Sequence, residues 1–287
     1  MRVIQSQSAD IRRNLAAEEW LLSEKAPALP LLFLWQSAPA VVIGKNQNPW
    51  LECRPGFLEE QGVRLARRVS GGGAVYHDAG NLNYAFILSR ATYRRDALFA
   101  RIISALAPLG LRAERLGRSG LGIGGRKFSG TAFCYRGDRV LHHGTLLVSA
   151  DLQRLDEVLL PALVDIHGRA VPSERATVMN LSEAIPGLTV ERVAAALSEG
   201  HEAMDAPPDP ALAMQAEKHE SPAWVFGNTP PFETGVLGRR VRVEQGIVAK
   251  GPWAGCPFRS RDLAARLEGG GAQGILAPGL SKRKLSS

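Results

Sequence analysis

Apolar positions along this chain change their period several times, and the changes divide it into elements. Over residues 10–24, DIRRNLAAEEWLLSE, the side chains Ile11, Leu15, Trp20 and Leu22 fall roughly on one side of a helix, with Asp10 placed to cap it. Two short apolar runs, Leu31–Trp35 and Val41–Ile43, are separated by the turn-like QSAP and predict paired strands. Residues 63–68 form another candidate strand, ended by the glycine run at 71–73, and Leu82–Leu88 reads as a buried strand. Helical periodicity returns over 95–108, where Leu98, Ile102, Ile103 and Leu106 share the apolar side. Strands are predicted across 121–149 with a hairpin turn at Arg136-Gly137-Asp138, and helices over 151–160 and 190–204.

The order mixes strand and helix without regular βαβ alternation, which predicts an α+β core. That core is expected over 1–205. A linker is expected over 206–221, on the Pro-, Asp- and Ala-rich stretch at its start. Residues 222–268 follow as a small module, with a hairpin in GRRVRVEQGIVAKG and a helix at 260–268. A flexible tail is expected over 269–287.

Composition narrows the class. The chain has 287 residues, 45% hydrophobic and 22% charged, enough to build a core without disulfides. Cys53, Cys134 and Cys256 lie too far apart in sequence for a disulfide lattice or a C-x-x-C site, and an odd number fits a reducing compartment. No apolar window approaches the roughly 18–20 residues that cross a bilayer, and the first twenty residues lack the pattern of a signal peptide. A cytoplasmic protein without a membrane partner is expected. The net charge of +7 invites a nucleic-acid reading, but the basic residues are scattered and aromatics make up only 6%. No nucleic-acid partner is expected; an acidic protein or an anionic cofactor such as ATP accounts for the charge equally well.

Two segments carry chemistry. In RLARRVSGGGAVYHDAGNLNYAFI, 64–87, Gly71, Gly72 and Gly73 make either a plain tight turn or a nest of N–H groups suited to phosphate or carboxylate. Arg67 and Arg68 stand before it as possible bidentate donors to an anion. His77 either donates to such an anion or completes a polar edge, while Asn81 and Asn83 share a strand face from which they could pin the glycine loop. In GGRKFSGTAFCYRGDRVLHHGTLL, 124–147, Lys127 lies in what should be interior sheet. It must find a counter-charge, reach solvent or shift its pKa. His142 and His143 lack partners at metal-site spacing, so no metal ligation is expected of them. Neither the glycine run nor GLGIGGRK at 120–127 is a P-loop, since an arginine stands where the lysine belongs.

Together, NQNPWLEC at 46–53, RRVSGGGAVYHDAGNLN at 67–83, GRKFSGTA at 125–132 and HHGTLL at 142–147 resemble the lipoate–protein ligase A family. The resemblance covers 10–205 and, more weakly, 222–268. It implies the mixed-sheet catalytic core of biotin/lipoate ligases with a compressed C-terminal accessory module. Such enzymes activate lipoate with ATP to lipoyl-AMP. They then pass the lipoyl group to a lysine amine on a dehydrogenase E2 lipoyl domain, a glycine-cleavage H protein or a specialised lipoate-binding protein.

The family's nucleotide and acyl-adenylate contacts fall on Arg68 and on Gly73, Ala74, Val75 and Tyr76, and its active-site lysine on Lys127. Its supporting pocket positions fall on His77, Asn83 and His143. The chain departs from the family where an Asn-Asp pair serving the nucleotide and magnesium becomes Ser119-Gly120. That substitution and the short accessory module leave two alternatives. One is a separate accessory subunit; the other is an ATP-independent transferase that draws on a preformed adenylate or acyl carrier. Among relatives that use a cysteine thioester, neither Cys53, Cys134 nor Cys256 has a matching context.

Overall fold

The structure is a computed structural model that describes residues 1–23, 27–163, 165–236, 238–251 and 253–259. The first half of the chain runs β1 (Arg2–Gln5), α1 (Ile11–Leu21), β2 (Leu31–Trp35), β3 (Ala40–Ile43), α2 (Pro49–Glu52), α3 (Pro55–Glu60), β4 (Arg64–Arg67), β5 (Val75–His77), β6 (Asn81–Ser89), α4 (Arg95–Leu106), β7 (Glu114–Leu116), β8 (Gly120–Ile123), β9 (Arg126–Arg136) and β10 (Arg139–Leu147). The second half runs α5 (Leu152–Val158), β11 (Ile166–Gly168), α6 (Leu181–Ala184), α7 (Val190–Ser198), β12 (Glu202–Met204), α8 (Asp209–Glu220), α9 (Pro222–Val225), β13 (Phe232–Val236), β14 (Arg239–Glu244) and β15 (Ile247–Lys250). The predicted caps form: Asp10 accepts from the Arg12 amide and Asp151 from the Arg154 amide.

An eight-stranded mixed sheet in the order β12-β1-β2-β6-β10-β9-β8-β7 makes the floor, and β4-β3-β5 form a smaller sheet over one face of it. Alternation along β6 explains the layering. Leu82, Tyr84 and Phe86 face α4 and α7 with Leu98, Phe99, Ile102 and Val193. Ala85 and Ile87 face the other way, toward α1 and the small sheet, with Leu15, Leu21, Val42 and Ala66. The same alternation puts Asn81 and Asn83 on that second face, beside the glycine loop.

Three expectations need correction. Leu31–Trp35 and the run that ends at Ile43 are strands but do not pair. β2 joins β1 and β6, whereas β3 joins β4 and β5. Both are buried throughout, so each needs a covered sheet of its own, and the QSAP turn moves the chain between layers. The helix expected over 190–204 stops at Ser198. Gly200 turns the chain at φ +70°, and 202–204 becomes an edge strand paired in parallel with β1.

The expected linker over 206–221 contains α8, which packs on α1. Leu212 and His219 of α8 are buried, and Lys218 and His219 both bond to the Glu19 carboxylate. Burial alone would raise the Glu19 carboxyl. Hydrogen bonds from His219, Lys218 and Arg136 instead hold it well below the usual carboxylate range.

The module after α8 is a four-stranded sheet, β11-β13-β14-β15, whose first strand comes from the core. Trp50 of the core packs against Phe226, Phe232 and Phe258, and so closes the interface. The expected helix at 260–268 and tail at 269–287 lie outside the described residues.

Candidate active site

The glycine loop, residues 68–74, links β4 to β5. Its shape comes from Arg68. This buried guanidinium donates from Nη2 to the carbonyls of Gly71 (2.6 Å) and Gly73 (2.7 Å), and from Nη1 to Val42 (3.1 Å). Its Nε reaches both Ser70 Oγ and the Gly71 carbonyl at 3.1 Å. Burial lowers the Arg68 pKa to about 10, with Glu18 and Glu52 opposing; the group stays charged. With two of the loop's carbonyls drawn to this cation, the N–H groups of Gly71, Gly72 and Gly73 have no acceptor among the described residues. They are open to an anion, as one of the two readings of the sequence requires, although Gly71, Gly72 and Gly73 are not among the residues that line the cleft in front of the loop. Gly72 takes φ +88°, and Gly44 beneath it has no room for a Cβ, which would stand 2.2 Å from the Gly72 carbonyl oxygen.

Arg67, read from sequence as an anion donor, is spent elsewhere. It is fully buried and bonds to the carbonyls of Gly44, Lys45, Gln47 and Val225 and to Thr229 Oγ1. It fastens the module to the core.

A second buried chain holds the loop from behind. Ser70 Oγ lies 2.6 Å from His143 Nε2, and His143 Nδ1 lies 2.7 Å from Glu18 Oε2. The other Glu18 oxygen accepts from the Trp35 indole N–H at 3.0 Å. Helix α1, strand β10 and the loop are thereby joined through one histidine.

His77 stacks flat on Trp35, with ring centroids 5.5 Å apart, and faces Asn81 Nδ2 across 3.2 Å at Nδ1. Burial, followed by the nearby Arg68 charge, lowers its pKa to about 3, so it is neutral. Its Nε2 is buried without a partner among the described residues. Asn81 and Asn83 do not pin the glycine loop: Asn81 donates to Asn83, and Asn83 to the Trp35 carbonyl.

In front of this layer opens a cleft of about 490 Å³, a size suited to a small ligand. Of the residues proposed from sequence, Ala74, Val75, Tyr76 and Lys127 line it. Arg68, His77, Asn83 and His143 instead form the layer behind the loop. Leu147, Leu155 and Leu159 make an apolar wall and Thr145 contributes a hydroxyl, while Phe128 and the Ser129 hydroxyl are buried beneath the cleft.

Lys127 is held by its backbone, which donates to the Thr177 carbonyl and accepts from the Met179 amide, both at 2.9 Å. Its side chain runs over two glycines. A Cβ at Gly120 would stand 3.3 Å from Lys127 Cε, and one at Gly130 would stand 3.4 Å from Nζ. Burial lowers its pKa and Glu174 opposes that shift. No described residue hydrogen-bonds or ion-pairs with its ammonium.

Residues 172–176 and Val178 line the cleft from a segment that no motif in the sequence marks. Ser173 Oγ donates to Glu52 and accepts from the Ala74 amide (2.7 Å) and from Gln47 Nε2 (3.1 Å), and its own amide donates to Glu52 (3.1 Å). Glu52 falls within NPWLEC, but nothing in the sequence marks Ser173 as its partner.

Neither Cys53 nor Cys134 is an activated thiol. Cys53 is buried, its pKa pushed far up by burial, and Cys134 is half-buried and raised for the same reason. Among the described residues no group of three or more His, Cys, Asp or Glu side chains could hold a metal ion. Position 120 has no carboxylate and Glu52 is engaged by Ser173. Among the described residues no all-protein magnesium site is formed; an ion carried on phosphate oxygens would find the carboxylates of Asp156 and Glu174 in the cleft lining. The free loop amides and the unpaired lysine do fit a phosphate or acyl phosphate.

The cleft thus combines an apolar side with the Lys127 ammonium and follows directly on the glycine loop, an arrangement that can hold a small anionic ligand with an apolar tail. The chain belongs to the family described as the lipoyl protein ligase A/B catalytic domain, whose model matches residues 10–202. It is 37% identical over 249 residues to the lipoate-protein ligase A of Bdellovibrio bacteriovorus, covering 81% of this chain and 74% of that one. Among solved structures it is similar to the bi-partite lipoate protein ligase of Thermoplasma acidophilum, described with its E2 lipoyl domain. There the identity is 25% and the TM-score 0.64, over 78% of this chain and 95% of that one. It is also similar to a lipoate-protein ligase A bound with ATP, at 26% identity and a TM-score of 0.62, over 76% and 92% of the two chains. The mixed-sheet ligase fold and family membership expected from the four sequence stretches are therefore established.

Proposed function

We propose that this protein activates lipoate with ATP, forming lipoyl-AMP and pyrophosphate, and then transfers the lipoyl group to a lysine amine on a lipoyl-domain acceptor. The observation that carries this reading is the Lys127 ammonium, without a hydrogen-bond or ion-pair partner among the described residues, in a cleft that Ala74, Val75 and Tyr76 line directly after the glycine loop. In the first step the lipoate carboxylate attacks the α-phosphorus of ATP and pyrophosphate leaves. Negative charge grows on the phosphoryl oxygens, where Lys127 and the loop N–H groups stabilise it. The saturated acyl chain lies along Leu147, Leu155 and Leu159. In the second step the acceptor amine attacks the carbonyl of the mixed anhydride, Lys127 stabilises the developing oxyanion, and AMP departs.

The relative bound with ATP supports the nucleotide, and the relative described with its E2 lipoyl domain supports the acceptor class. The raised thiols of Cys53 and Cys134 weigh against transfer through an enzyme thioester.

Lipoate-dependent ATP–pyrophosphate exchange with magnesium tests the proposal. Wild type is expected to catalyse exchange and Lys127→Ala to lose at least about 100-fold, the scale of removing one donor to a developing oxyanion, with an unchanged melting curve. A folded wild type without exchange would instead point to a preformed adenylate as acyl donor or to a separate activating subunit. An unfolded Lys127→Ala would give the lysine a structural role.

A further inference from the structure

Strand β9 changes partner along its length. β8 accompanies it from Ile123↔Arg126 to Gly120↔Gly130, and the Thr131 amide makes a last bond to the Ser119 carbonyl at 2.8 Å. From Ala132 to Arg136 the strand pairs with β10 on one side and with no described strand on the other. Because Thr131 points its N–H outward, alternation points the N–H and C=O groups of Phe133 and Tyr135 outward as well. An open edge of this kind is a template for another strand.

The side chains fit that reading. Phe133 and Tyr135 are 45% and 46% exposed and meet edge-on at 5.8 Å, with Tyr93 against Tyr135 at 6.1 Å. Arg90 lies 5.3 Å from the centre of the Tyr135 ring. Of the carboxylates near it, Glu19 is matched by Arg136 and Lys218 and Asp96 by Arg115, while Asp138 in the hairpin turn accepts from Ser89 Oγ and ion-pairs with no described residue. Arg90 and Lys45 have no carboxylate partner among the described residues. The chain as a whole carries +7. An aromatic strand edge with surplus positive charge suits an acidic protein that offers a strand.

Its position names the occupant. Ala132 touches the glycine loop, with its Cβ 3.5 Å from where a Gly72 Cβ would stand, and Gly130 lines the cleft. Two residues of strand span about 7 Å. A partner strand seated on 132–136 therefore ends within a lysine side chain's length of the cleft mouth. We infer that the edge Ala132–Arg136, with Phe133, Tyr135 and Arg90, docks the acceptor protein by strand addition beside its modified lysine. This rests on the proposed transfer reaction.

The test uses the full chain with an apo E2 lipoyl domain as acceptor. Tyr135→Pro removes one outward N–H and leaves the β10 ladder intact; Phe133→Asp and Arg90→Glu oppose an acidic partner. Transfer from synthetic lipoyl-AMP is expected to lose at least about tenfold in kcat/KM, through KM, in each variant. Hydroxylamine trapping of the same adenylate should stay within about twofold of wild type. Unchanged KM for the lipoyl domain overturns the docking assignment, as does an equal loss with hydroxylamine, which would mean the edge is merely structural. If the variants instead convert a dimer to a monomer by sedimentation while KM is unchanged, the edge seats a second copy and the inference falls. A wild type that transfers from lipoyl-AMP without ATP–pyrophosphate exchange would remove the activation step and leave the docking result readable.

Discussion

At the scale of single residues, the site depends on side chains that never reach the cleft. Ser70, His143 and Glu18 form one buried chain, so a change at its far end should be felt at the loop. Glu18→Gln keeps the size but removes the charged acceptor that orients His143, and Ser70→Ala removes the hydroxyl that links His143 to the Arg68 cluster. Each is expected to weaken binding of a non-hydrolysable lipoyl-adenylate about tenfold by titration calorimetry. The double variant should bind about as weakly as either single one, since both cut the same chain. Additive losses would show that the two residues act separately.

At the scale of elements, contiguous signals were legible and distant ones were not. The glycine loop, Lys127 and the β9–β10 hairpin could be read because each is written in consecutive residues. Glu18 meets a histidine 125 residues away, and Ser173 an amide 99 residues away; no local pattern encodes such pairings. Arg67 and Arg68 were read alike because neighbours in sequence look alike. In an extended strand they point to opposite faces, and one serves the loop while the other serves the module. Arg67→Met should therefore leave four carbonyls and the Thr229 hydroxyl poorly satisfied. Even after relaxation it is expected to cost about 2–5 kcal/mol. Urea unfolding would read that loss, and limited proteolysis should show new cleavage between 225 and 232. Unchanged stability would mean that the aromatic cluster around Trp50 suffices to hold the module.

For the whole molecule, the buried histidines set an acid limit. His77 and His142 have pKa values lowered to about 3 and about 4, in both cases chiefly by burial. They are neutral in the fold and take up protons on unfolding below their ordinary value of about 6.5. Stability is therefore complete above that value and falls as pH drops toward the folded-state values. Each histidine contributes up to about 1.4 kcal/mol per pH unit in this window. Urea titrations at pH 7, 6, 5 and 4 should show this slope, and His77→Gln should flatten it. An unchanged slope would place the titration on other groups.

Strand β1 lies between β2 and β12, and β12 ends at Met204. β2 follows β1 closely along the chain, whereas the strand on the other flank is made only after the rest of the core has left the ribosome. Vectorial synthesis therefore leaves β1 seated on one side alone until then, and α8 seals α1 beside it later still. A ribosome that stalls before β12 releases a core in which β1 has an open flank.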